Sequence, residues 1–135
     1  MNRLIKIASA RTTSEISNDF NSIFPFLKLA FFKNSHTEKE PSLKKEMISE
    51  SVPVGDLENF KKEGEIELTP LMSVGAFETL MRDEFGLNVH VFRKSGTVWL
   101  ETTTTDHLTI ISQNALGKEK STPAEKDDVS DVDYD

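Results

Sequence analysis

Chemistry at neutral pH would draw first on the three histidines of this chain, His36, His90 and His107. No two stand at the i, i+4 spacing that turns a helical pair toward one zinc ion. His90 with Glu101, joined by Asp106 and His107, is the single grouping with metal-ligand character, and it reads more simply as a cross-strand surface ion pair. No cysteine is present, so a thiolate nucleophile, a cysteine metal site and a disulfide are excluded. No G-x-S-x-G elbow occurs, and the Thr102 to Thr105 run reads as a β-branched strand end. Asp83 and Glu84 fall on the polar side of a helix. The K-S-G-T string lies between strands and lacks the rest of a phosphate loop. Arg93 and Lys94 form a basic pair able to meet an anion. These residues predict no enzyme, no metal and no cofactor.

The stretch HVFRKSGTVWLETTTT, residues 90–105, carries the single tryptophan. A two-residue turn at Ser95-Gly96 would use glycine for its positive φ. Arg93 then meets Val98, Phe92 meets Trp99, Val91 meets Leu100 and His90 meets Glu101. Side chains alternate across a sheet, so Val89, Val91, Val98 and Leu100 share one face, the one helices would cover. Phe92 and Trp99 share the other, beside His90, Lys94 and Glu101. Phe32 points the same way from an earlier strand. Phe32, Phe92 and Trp99 thus form an apolar patch on the face away from the helices, and such patches mark contact surfaces. The competing readings are that two half-sheets bury the patch between them, or that a three-residue K-S-G loop turns Trp99 inward.

The elements that position these residues occur twice. IKIASARTTSEISNDFNSIFPFLKLAFFKNS aligns with IELTPLMSVGAFETLMRDEFGLNVHVFRKS across one gap at Pro25. Ile5 falls on Ile66, Ile16 on Phe77, Phe20 on Met81, Leu29 on Val89 and Phe31 on Val91. Each copy reads strand, helix, strand. Thr12-x-x-Glu15 is a capping-box start, and Pro25 stops the first helix. Ser73 caps the second helix, and Gly86 closes it. Residues 52–60 and 106–116 read as short helical turns, with Leu57 and Ile111 plugging the sheet ends. Residues 34–51 read as a loop running into a weak strand near 46–49.

The chain has 135 residues and a net charge of −7. Residues 118–135 hold three lysines and seven acids, which leaves about −3 on residues 1–117. That balance argues against nucleic acid and anionic membrane as partners, since both are bound by clustered Lys and Arg. No run approaches the roughly 20 apolar residues of a membrane span. LIKI, split by Lys6, is too short for a signal peptide. A cytoplasmic location is expected, with residues 118–135 a disordered acidic tail that aids solubility or carries a short motif.

The string GLNVHVFRKSGTVWLETTTTDHLTIISQN resembles the end of a family of small, functionally uncharacterised bacterial proteins with a V-F-R-K-S-G hairpin followed by W-L-E-T-T. The resemblance covers most of residues 1–116. It implies a bacterial, cytosolic origin and the internal repeat, and it implies no activity, cofactor or site residue.

The expected fold is α+β: two tandem strand–helix–strand–strand units, β-grasp-like, with helices on one face of mixed sheets. The segments are 1–33 for the first unit, 34–63 for its completion, 64–117 for the second unit and 118–135 for the tail. The expected function is a non-enzymatic protein-interaction or regulatory module. Its aromatic face would bind a protein partner or a second copy through Phe32, Phe92 and Trp99, with Arg93 and Lys94 adding selectivity. The alternative is a small-ligand or anion-binding protein using a cleft between the units with His90, Arg93 and Lys94.

Overall fold

Short-range signals set the first two helices. The computed structural model describes residues 3–33, 46–69 and 71–121. Helix α1 (Thr13–Ile23) starts at a complete capping box, with the Thr12 hydroxyl taking the Glu15 N–H and the Glu15 carboxylate taking the Thr12 N–H. It ends before Pro25, which cannot continue a helix. Helix α2 (Val74–Phe85) starts at Ser73 and ends on Gly86, whose φ of 69° is the left-handed cap expected of glycine. The apolar stripes Ile16, Phe20, Phe24 and Val74, Phe77, Met81, Phe85 are buried. Phe20 stacks on Phe77 at 5.2 Å, which joins the two helices in one core. Each such aromatic, fully buried, stabilises the fold by about 1.5–3 kcal/mol.

The strands pair between the halves. β1 (Leu4–Ile7) lies antiparallel to β3 (Gly64–Glu67), with Ile5 opposite Ile66. β2 (Leu27–Phe32) lies antiparallel to β4 (Asn88–Ser95), with Leu29 opposite Val91 and Ala30 opposite His90. β5 (Val98–Glu101) follows β4 in a hairpin, giving the order β2-β4-β5. The protein is therefore α+β, but its described sheets are antiparallel rather than mixed, and each takes strands from both halves. One strand–helix–strand unit has too little apolar surface to bury alone. Exchanging strands gives both halves one core, into which Ile5, Ile66, Leu29, Phe31, Val89 and Val91 all point.

Matching contacts recur in the two halves. Ile5 and Ile66, aligned by sequence, face each other, as do Ala30 and His90. Thr12 bridges Pro53, and Ser73 bridges Thr109. The Val54 N–H donates to the Arg11 carbonyl at 2.8 Å, and the Ile110 N–H donates to the Met72 carbonyl at 3.0 Å. Val54 and Ile110, both fully buried, are the residues that plug the ends. Leu57 only packs partly buried against the core, and Ile111 is 46% exposed. The expected weak strand is a single bridge, Met47 with Phe32, flanked by Ile48 N–H to Phe31 O at 2.8 Å and Lys33 N–H to Glu46 O at 3.0 Å.

The C-terminal turn is longer than expected. A 3-10 turn at Thr103–Thr105 leads into helix α3 (Ile110–Ser121), which continues past residue 118, where the tail was expected to begin. Gln113, fully buried, anchors this helix: its amide nitrogen donates to the Thr105 carbonyl at 2.8 Å and the Thr105 hydroxyl at 2.9 Å. The Asn114 side chain accepts the Phe26 N–H at 2.9 Å. These polar anchors explain why apolar periodicity missed the helix. Residues 34–45 and 122–135 lie outside the described residues, and with them His36, most of the expected loop and most of the expected tail.

Candidate ligand groove on the sheet face

The hairpin turns at Gly96-Thr97, one residue later than expected, with Gly96 at φ 62° as the first central residue. Ser95 faces Val98, Lys94 faces Trp99, Arg93 faces Leu100 and Phe92 faces Glu101. Every pair slips by two, so each side chain keeps its face. Phe92 and Trp99 become diagonal neighbours rather than opposites, and Glu101 no longer meets His90. Thr102, buried beyond β5, pins this register by donating its N–H and hydroxyl to the Val91 carbonyl at 3.3 and 2.8 Å.

The expected site residues separate into three groups. Phe92, Lys94, Trp99 and Glu101 lie half-buried on the outer face, away from the core. The Lys28 ammonium stands 5.0 Å from the centroid of the Trp99 ring, a cation–π distance. Phe32 and His90 share that face but are more enclosed: Phe32 is 3% exposed, and its ring meets His90 edge-on at 5.1 Å. Phe32 is therefore not part of an exposed patch. Arg93 is on the opposite face, where it donates to the Gln113 side chain at 3.4 Å and packs beside Gly117 of α3. On that face Val98 and Leu100 are 53% and 42% exposed instead of lying under a helix. The halves interleave, so the expected cleft between two separate units is replaced by a groove along β2.

That groove has a volume of about 480 Å³. One wall is the first half of α1, with Ser14, Ser17 and Asn18. Another is the segment 47–50, and the far wall is Lys28, Phe92 and Trp99. Ala30 and the main chain of Leu29 and Phe31 line the floor. The side chains of Leu29 and Phe31 are buried in the core, so what these residues present is the polar edge of β2. Lys94 N–H donates to Phe26 O, which sets the ladder's parity. The N–H and C=O groups of Leu27, Leu29 and Phe31 therefore point outward. Asn21 and Ser17 of α1 donate to the carbonyls of Leu27 and Leu29 at 2.8 and 3.0 Å, and Ile48 donates to that of Phe31. The N–H groups of Leu29 and Phe31 have no acceptor among the described residues.

The second half treats the same edge differently. The alignment sets Phe31 on Val91, Ser17 on Glu78 and Ala30 on His90. There the Glu78 carboxylate reaches from α2 and accepts the Val91 N–H at 2.8 Å. His90 Nδ1 lies 3.9 Å from the other Glu78 oxygen, and both side chains are largely enclosed, 13% and 16% exposed. A carboxylate and an imidazole thus occupy, in the second half, positions held in the first by a serine and an alanine. Two small side chains leave the groove open. Ser17, Lys28, Ala30 and Glu78 were not singled out in the sequence. The signal was available in the aligned copies, at the positions where they differ rather than where they agree.

Among the described residues no group of three or more His, Asp or Glu is placed to hold a metal. No described helix is long and apolar enough to cross a membrane. No family model, no curated protein and no solved structure matches this chain.

Proposed function

We propose that this protein is a non-enzymatic binding module that recognises its ligand in the groove between α1, β2 and residues 47–50. The observation that carries the reading is the difference between the halves: Glu78 fills the edge of β4, while Ser17 and Ala30 leave the edge of β2 open. If the halves are read as two versions of one unit, the open groove is the version in which no side chain fills the strand flank. The groove's volume falls within the range typical of small-ligand sites, about 300–1,000 Å³, and it combines aromatic walls with a few directed polar groups, as such sites do. A regulator that senses a small molecule fits these features. The test is a thermal-shift screen of the wild type beside Ala30→Leu, which fills the groove. Compounds that raise the Tm of the wild type alone support the reading. A broad screen in which every stabilising compound acts equally on both proteins refutes it.

A second reading rests on a different observation. Val98 and Leu100 expose their side chains on the edge strand β5, where an apolar strand with an open edge invites pairing. A protein partner or second copy would add there, beside rather than on Phe92 and Trp99. Sedimentation of the wild type against Val98→Lys with Leu100→Lys tests it: association lost in the variant supports it, and association unchanged sinks it.

A further inference from the structure

We infer that the ligand of the groove carries a carboxylate, which takes on β2 the place that Glu78 takes on β4. This rests on the groove being the binding site. The second half shows what satisfies a strand-edge N–H in this fold: a carboxylate oxygen 2.8 Å from the Val91 nitrogen. The corresponding N–H, that of Phe31, lines the open groove with no acceptor among the described residues, and the Leu29 N–H lies two residues away on the same edge. Around them the groove offers the Ser14 hydroxyl, the Asn18 amide and the Lys28 ammonium as donors, the Ser17 hydroxyl being spent on the Leu29 carbonyl; Glu50 is its one acid. In the second half an imidazole accompanies the carboxylate. In the first half Lys28 is the cation of the site. A charged acceptor makes the stronger bond to such an N–H. Phe92 and Trp99 are flat, half-buried and apolar, so the body attached to the carboxylate is flat and apolar too. The ligand class is a small organic acid with an aromatic or similarly flat body.

The experiment titrates the full-length protein with benzoate, phenylacetate and indole-3-acetate, and with the primary amide of each. Two signals are read: the backbone amide resonances of Leu29 and Phe31, and the emission of Trp99, the chain's one tryptophan. Expected are saturable downfield shifts of one or both amides with an acid, and binding at least about ten-fold weaker for its amide. Ser17→Glu supplies the missing carboxylate from the chain and abolishes acid binding while the protein stays folded by circular dichroism. Lys28→Gln weakens it by about ten-fold. Acids that leave both amides unmoved at millimolar concentration overturn the inference, as does a Ser17→Glu protein that binds like the wild type. Amides that bind as well as acids overturn the carboxylate and leave the groove standing as a site. A groove that also yields no hit in the Ala30→Leu screen removes both.

Discussion

Glu78→Ala tests the comparison of the two strand edges most directly. The Glu78 carboxylate accepts the Val91 N–H at 2.8 Å, and its side chain is 16% exposed. A hydrogen bond to a charged group contributes about 1.5–3 kcal/mol. The His90 nitrogen at 3.9 Å is at the limit of an ion pair. Truncation therefore costs about 1.5–3 kcal/mol, a fall in Tm on the order of 6–15 °C for a domain of this size. Urea unfolding followed by circular dichroism reads it as a lower midpoint at unchanged m-value. Hydrogen exchange at Val91 reads it locally, through faster exchange of that amide. Glu78→Gln keeps an oxygen acceptor without the charge and loses about half as much. If Glu78→Ala costs less than about 0.5 kcal/mol and Val91 exchanges as before, a strand-edge N–H here needs no carboxylate. The inferred ligand chemistry then loses its precedent.

Three further outcomes are expected. Ile110→Ala empties a fully buried position and costs about 2–5 kcal/mol, whereas Ile111→Ala, at a 46% exposed position, stays within about 0.5 kcal/mol; equal losses in urea unfolding contradict the assignment of Ile110 as the plug. Gly86→Ala costs more than about 2 kcal/mol, because φ is 69° and the new methyl would overlap the Asn59 carbonyl, so a near-neutral Tm rules out that close approach. Glu63 is held below the ordinary glutamate range, first by the Ser9 backbone N–H at 2.8 Å, then by the Ser9 hydroxyl at 3.0 Å; desolvation opposes them, and Lys6 assists least. Its folded pKa lies below its unfolded one. The contact therefore stabilises fully above the unfolded value and is lost as pH falls through the folded value. An NMR titration of the Glu63 carboxyl that shows an ordinary midpoint goes against this.

The unnoticed groove residues show why the site was harder to read than the fold. Trp99 and Phe92 were placed on the correct face despite the wrong turn, because a two-residue slip preserves the side-chain period. Lys28 carries no local signal, because its partner, Trp99, lies 71 positions away, on a strand that does not pair with β2. Arg93, expected to lend selectivity to the contact face, lies on the other by strict alternation from Phe92, and α3 covers it there. That cover was unexpected because α3 buries Ile110, Gln113 and Gly117, a face with one apolar side chain in it.

Short-range physics made part of the protein legible from its sequence. The capping box at Thr12 and Glu15, the stop at Pro25, the cap at Ser73 and the left-handed Gly86 each act within four residues, and each forms as read. The apolar stripes of both helices are likewise local, since one helical period spans them. Pairing is different. Ile5 meets Ile66 and Ala30 meets His90 across about 60 residues, and no local signal prefers those partners to the strands of the same half. The exchange of strands is decided by the core it closes. The groove is decided one step later, by which strand flank left without a neighbouring strand finds its acceptor within the chain, as Val91 of the central strand β4 does in Glu78, and which does not.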